Sequence, residues 1–173
     1  MNKKAIGFFF VIVILLLSIW GTVFYRNASI EKVLEKEGAI RVLEQIDTGN
    51  SILVIYDAGD FIRGEELRKG LLGWRVTKRS QATNDRGDDI VFRPDNLSII
   101  STDNLSIHYG YVNQGEVDYI RFQSDLFDIK HKVQSYYWYI PVVGEDQGVF
   151  DADQFSIILK DGSEVYYPFK ELQ

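Results

Sequence analysis

The chain contains no cysteine. That single absence removes disulfides, thiolate metal sites and cysteine nucleophiles. Histidine is nearly as scarce, His108 and His131 being the whole supply. A zinc site would have to start from two histidines set far apart and outside any His-Glu-x-x-His, which is a weak basis. A histidine base for nucleophilic catalysis has the same two candidates, and no Gly-x-Ser-x-Gly elbow accompanies them. Positive charge is short as well: 19 Lys and Arg face 25 Asp and Glu, for a net charge of −6. Repulsion from phosphates then argues against nucleic acid as a partner. The same average argues against adhesion to an anionic lipid surface. These absences predict a non-catalytic protein that needs no cofactor.

What the chain has first is grease. Ala5–Phe24, "AIGFFFVIVILLLSIWGTVF", runs for 20 residues without a charge. At a helical rise it spans about 30 Å, the hydrocarbon thickness of a bilayer. Trp20 and Tyr25 lie near its far end, where amphipathic rings favour the lipid–water interface. Signal cleavage requires two small residues spaced A-x-A. Ala28 has Arg26 at the partner position and Gly21 has Ile19, so the sequence predicts an uncleaved anchor. Lys3 and Lys4 precede the run, the usual arrangement of a signal-anchor that exports the chain on its C-terminal side. The expected layout is a cytoplasmic tail (1–4), a transmembrane signal-anchor (5–24) and an extracytoplasmic remainder, single-pass in the plasma membrane. With so short an inner tail, signalling would have to run through a membrane partner.

Beyond the anchor, Ser29 is placed to cap a short helix carrying Ile30, Val33 and Leu34 on one stripe, with Gly38 as its stop. The rest reads as strands: Ala39–Asp47, Ser51–Tyr56, Phe61–Lys69, a run resuming at Trp74, Asp89–Arg93, Leu97–Ser101, Leu105–Val112, Glu116–Phe122, Lys132–Val143, Gln154–Lys160 and Ser163–Phe169. Phe61–Lys69 is ambiguous, because Glu65-Glu66 also suits a helix. "DNLSI" occurs at 95–99 and again at 103–107, with a turn expected between. "NQG" at 113–115 and "DG" at 161–162 are hairpin signals. The polar stretch 80–89 separates a helix-plus-meander lobe (25–79) from a C-terminal antiparallel lobe (90–173). The fold class is α+β, mostly antiparallel β in a small sandwich or curled sheet, with one short N-terminal helix behind a single transmembrane helix.

"KGLLGWRV" at 69–76 resembles a ligand loop, but no Lys-Ser/Thr and no helix follow its glycines, as a phosphate loop requires. It reads as a turn in which Leu71 or Leu72 and Trp74 fill an apolar gap. Three further places have site-like composition. In Tyr136–Pro141, Tyr137 and Tyr139 share a face that could stack on a sugar, and His108 lies on a strand that could pair beside it. The acidic loop around Glu145, Asp146, Asp151 and Asp153 could hold Ca²⁺ through Asp146, Asp151 and Asp153, although its spacing is not that of an EF-hand. The same carboxylates could serve a hydrolase only by converging in a cleft.

"SIEKVLEKEG", "ILVIY", "LRKGLLGWRV", "IHYGYVNQGEVDYIRF", "YYWYIPV" and "LKDGSEV" succeed one another in that order. Together they resemble a family of uncharacterised, membrane-anchored or secreted proteins of endospore-forming Gram-positive bacteria, over most of residues 29–169. The polar "FIRGEEL" and the lack of a lipoprotein cysteine depart from the pattern. The resemblance implies a location and a general shape, and it brings no activity or site residues. The functional expectation is an extracytoplasmic interaction or sensing module of the cell envelope. It would meet lipid through 5–24, and another membrane or envelope protein or a wall polymer through its β domain. The alternative is an envelope polysaccharide-binding protein, or a hydrolase using acidic residues near 145–153.

Overall fold

The computed structural model describes residues 3–83, 98–103, 105–112, 115–125, 128–143 and 152–167. Helix α1, Lys3–Arg26, contains the apolar run, and none of its most hydrophobic window is buried against the rest of the chain. A core helix of this composition would be covered on several sides; this one is long and apolar enough to cross a membrane. Its two aliphatic hydroxyls are satisfied within the helix: Ser18 donates to the Ile14 carbonyl and Thr22 to that of Ser18, both at 2.8 Å. Helix α2, Ile30–Lys36, forms as its sequence dictates, with the Ser29 hydroxyl accepting from the Lys32 amide and Ile30, Val33 and Leu34 buried.

Eleven strands among the described residues make three antiparallel sheets. The first is a meander of β1 (Arg41–Asp47), β2 (Ile52–Asp57), β3 (Ile62–Gly70) and β4 (Gly73–Arg79), in that order. The second places β6 (Leu105–Tyr111) between β5 (Ser98–Ser101) and β9 (Tyr137–Val143). The third runs β11 (Glu164–Tyr166), β10 (Phe155–Leu159), β7 (Val117–Gln123), β8 (Asp128–Lys132). Strands β5 and β6 pair across the expected turn, Ser98 facing Tyr109 and Ile100 facing Ile107.

Alternation along each strand stacks these elements in layers. Val54, Tyr56 and Leu67 meet α2 on one face of the first sheet. Its other face sends Leu53, Ile55 and Ile62 against Ile100, Ile107 and Tyr109 of the second sheet. That cluster draws on residues from both sides of the polar 80–89 stretch. Gly64 permits the close approach, because a Cβ there would lie 2.9 Å from Ile100 and 3.0 Å from the Tyr109 ring. The Gly64 amide uses the space to donate to the Tyr109 hydroxyl at 2.5 Å. The far face of the second sheet packs Trp138, Ile140 and Val142 on Phe122, Phe155 and Ile157 of the third.

Several expectations are corrected in detail. The ambiguous "FIRGEEL" run is strand β3, with Glu65 and Glu66 both fully buried, not a helix. The strand expected over 132–143 starts only at Tyr137, because the chain bends at residues 135–136; Lys132 is the end of a separate strand, β8. Tyr136 therefore precedes β9 and joins Tyr137 and Tyr139 beside the middle cluster. At 70–73 a tight hairpin forms as expected, Gly70 pairing with Gly73, but the leucines fill nothing: Leu71 is 92% exposed and Leu72 46%. Only Trp74 joins the core under α2. The expected strand at 89–93 lies outside the described residues.

Candidate functional site

Between α2 and β4 opens a groove of about 510 Å³, lined by Asn27, Val33, Lys36, Glu37 and the run Trp74–Arg79. It exists because β4 is an edge strand among the described residues and the seven-residue α2 is too short to cover it. Edge strands carry unpaired backbone groups, so an exposed one is a template for a further strand. The outer positions Arg75, Thr77, Lys78 and Arg79 are all exposed.

Beneath the groove lies an ionic stack. Glu65 and Arg79 face each other in the β3–β4 ladder, and Arg79 Nε donates to Glu65 Oε1 at 2.6 Å. The other arm of the guanidinium pairs with Glu37, at the C-terminal cap of α2. Tyr56 donates to the same Glu65 oxygen at 3.2 Å, while Glu65 Oε2 is buried without a partner. Burial pushes the Glu65 carboxyl above its ordinary value, against the pull of Arg79, and pushes the Tyr56 phenol up to about 12. Glu66, on the opposite face, goes the other way. Its burial is outweighed by hydrogen bonds from Ser51, Thr77 and Arg68, and its pKa is lowered.

These neighbouring carboxylates make opposite contributions to stability. A folded-state pKa raised above the unfolded value gives Glu65 a contribution fully present in acid and lost as pH rises through the folded pKa. Glu66 contributes above the ordinary carboxylate range and loses its contribution as pH falls. Glu65→Gln is therefore expected to remove the part of the stability loss that accompanies rising pH above about 4.5. Denaturant midpoints across that range, wild type against variant, check it. Two parallel curves would show that Glu65 is ionised as readily in the folded chain as in the unfolded one.

The sequence-derived candidates do not form one site. Tyr137 and Tyr139 are half-buried and point toward β1, where Tyr137 donates to Glu44 Oε1 at 2.8 Å. Glu44 also bears on Tyr139, and the His131 ring lies 5.0 Å from that of Tyr139. Burial, then Glu44, holds the Tyr137 phenol at about 12; burial lowers His131 while Glu44 opposes it. The result is a seam of phenols closed over one carboxylate, with the hydroxyls already engaged. Paired-carboxylate hydrolysis needs a second acid across the sugar. His108 sits on the opposite face of β6, 1% exposed, opposite Ile140 in the ladder. The strand pairing anticipated for it is present, yet its side chain and the two tyrosines lie on different sides of one sheet.

Asp153 is exposed in a short 3-10 turn, Ala152–Gln154. Glu145, Asp146 and Asp151 lie outside the described residues. Among the described residues, no group of three or more His, Asp or Glu is arranged to hold a metal ion.

Residues missed by sequence reasoning are Glu65, Arg79 and Glu44, whose partners stand on other strands. The Ser-x-x-Lys spacing of some hydrolases also escapes it, although Ser29 and Lys32 have that spacing. Here the Ser29 oxygen caps α2, while Lys32 Nζ donates to the Tyr25 carbonyl at 3.3 Å and lies 3.4 Å over the Tyr25 ring. The pair fastens α2 to the end of α1.

No family model matches the chain, and neither curated proteins nor solved structures give a significant match.

Proposed function

We propose that this protein is a non-catalytic interaction module of a bacterial cell envelope. The uncleaved segment 5–24 holds it in the plasma membrane, with the β domain on the extracytoplasmic face. The observation that carries the reading is the groove beside β4. It offers an exposed strand edge for main-chain pairing, flanked by charged side chains that can select a partner. It opens next to Asn27, directly after α1. A partner standing in the same membrane reaches it more readily than a polymer farther out in the wall. The buried ionisable groups support a binding role: Glu65 with Arg79, Glu66 with Arg68 and Tyr137 with Glu44 are committed to one another.

A photo-crosslinking residue at Arg75, in the groove, and one at Lys130, on β8 of the third sheet, test this in intact cells. The expected result is a discrete adduct from position 75 that mass spectrometry assigns to a membrane protein, and none from position 130. No adduct at 75, or the same adducts from both positions, overturns the reading.

A further inference from the structure

We propose that the β3–β4 hairpin tip is a second membrane contact. Leu71 and Leu72 enter the interfacial layer beside the end of α1, and Arg68 and Lys69 meet the lipid phosphates. This rests on the anchor reading above and adds to it an orientation for the domain.

Three observations carry it. The first is exposure: at 92%, Leu71 is the most exposed large hydrophobic residue among those described, and Leu72 follows it at the apex of a rigid two-residue turn. The core has no claim on either.

The second is position. The Trp74 amide donates to the Asn27 carbonyl at 2.7 Å, and a Cβ on Gly73 would lie 2.2 Å from that same oxygen. The hairpin is thus seated on the residue that follows α1. With consecutive Cα atoms about 3.8 Å apart, both leucines lie within roughly 12 Å of Asn27. Asn27 in turn stands about 4.5 Å beyond Phe24, the last residue of the apolar run. Headgroup layers extend about 5–8 Å past the hydrocarbon on each side, so the tip is within reach of them.

The third is charge. The acidic average of the chain conceals a local reversal, since Arg68 to Arg79 is rich in Lys and Arg and holds no acid. Arg79 and Arg68 are partly engaged by Glu65, Glu37 and Glu66, while Lys69 and Arg75 flank the leucines and are exposed. Apolar tips between cations are suited to an interface in which phosphates lie above acyl chains. Both leaflets present such phosphates. The contact would hold the domain close to the bilayer, with the β4 groove opening along its surface.

The absence of cysteine gives a clean test in the full chain reconstituted in phosphatidylglycerol-rich bilayers. An environment-sensitive label is placed at Leu71→Cys, at Ile14→Cys within α1, or at Asp60→Cys in the β2–β3 turn. Asp60 lies at the other end of β3, about 30 Å away by strand rise. Lipids carrying a quencher at a shallow acyl position are expected to quench the label at 71 and leave that at 60 bright, while a deep quencher reaches 14. Adding Leu72→Asp to the chain labelled at 71 is expected to abolish most of its quenching, as is replacing the anionic lipid in high salt. Quenching at 14 with none at 71 overturns the contact and leaves the anchor standing; this is also the result if a protein partner covers the tip. Equal quenching at 71 and 60 overturns it too. A label at 14 that no lipid quencher reaches sinks the anchor and the contact together.

Discussion

Gly73→Ala is expected to destabilise the chain by about 3 kcal/mol, far out of proportion to the single methyl group it adds. Gly73 has φ +91, a conformation that costs an L-residue roughly 1–2 kcal/mol. The added Cβ would also fall 2.2 Å from the Asn27 carbonyl oxygen and 2.8 Å from its carbon, both backbone atoms. They cannot retreat without breaking the bond from the Trp74 amide, a further loss of about 1 kcal/mol. The damage is directed at the place where the β domain is fastened to the membrane helix. Gly162→Ala is the control: its φ is +87, but the space around its Cβ position is open, so only the conformational cost remains. Denaturant unfolding of the full chain in detergent, followed by tryptophan fluorescence, compares the two. If Gly73→Ala costs no more than Gly162→Ala, the hairpin is not seated on Asn27.

That contrast bears on how much of the molecule is legible in its sequence. Local chemistry is readable. The apolar run gives α1, Ser29 and Gly38 give the limits of α2, and Asp161-Gly162 gives the last hairpin, where Asp161 accepts from the Ser163 amide at 2.9 Å. Gly70 and Gly73 announce a turn, but not what the turn rests on, because Asn27 lies far back in the chain. Hydrophobicity alone assigns the leucines between them to a gap. A surface position needs an external reason that no alternation pattern contains.

The burial of "GEEL", a segment whose strand reading holds, has the same origin. A charged side chain is buried only when a partner is supplied, and Arg79 is supplied across the ladder, fourteen residues from Glu65. Without that pairing, Glu65-Glu66 reads as solvated or helical. The tyrosine seam shows the limit at greater range, since Tyr137 meets Glu44 ninety-three residues away. Alternation places Tyr137 and Tyr139 on one face correctly. Nothing in the sequence indicates that a carboxylate from β1 occupies that face, or that His108 is shut on the other side of the sheet.

The buried His108 leads to the other large expected effect, an acid-driven loss of about 3 kcal/mol between pH 6.5 and pH 4. Its imidazole is enclosed between the second and third sheets, and burial holds its pKa down to about 4. The unfolded chain binds that proton near pH 6.5, the folded chain only near pH 4. Stability from this group is therefore complete above the unfolded value and falls as pH drops through the window, the unfolded state being the one that takes up the proton. Glu65 acts in the opposite sense, gaining from acid, while His131 and Glu66, both lowered, act in the same sense as His108. Replacing His108 by Leu separates its part from theirs. Leucine fits beside Ile140, the ladder partner, and does not titrate. His108→Leu is expected to remove most of the downward slope that starts near pH 6.5, leaving the part due to His131 and Glu66 set against the acid gain from Glu65. Unfolding midpoints of both chains at successive pH values decide the matter. If they fall in parallel from neutral to acid pH, the imidazole is protonated without penalty, and the packing of the second sheet on the third is looser than the enclosure of His108 requires.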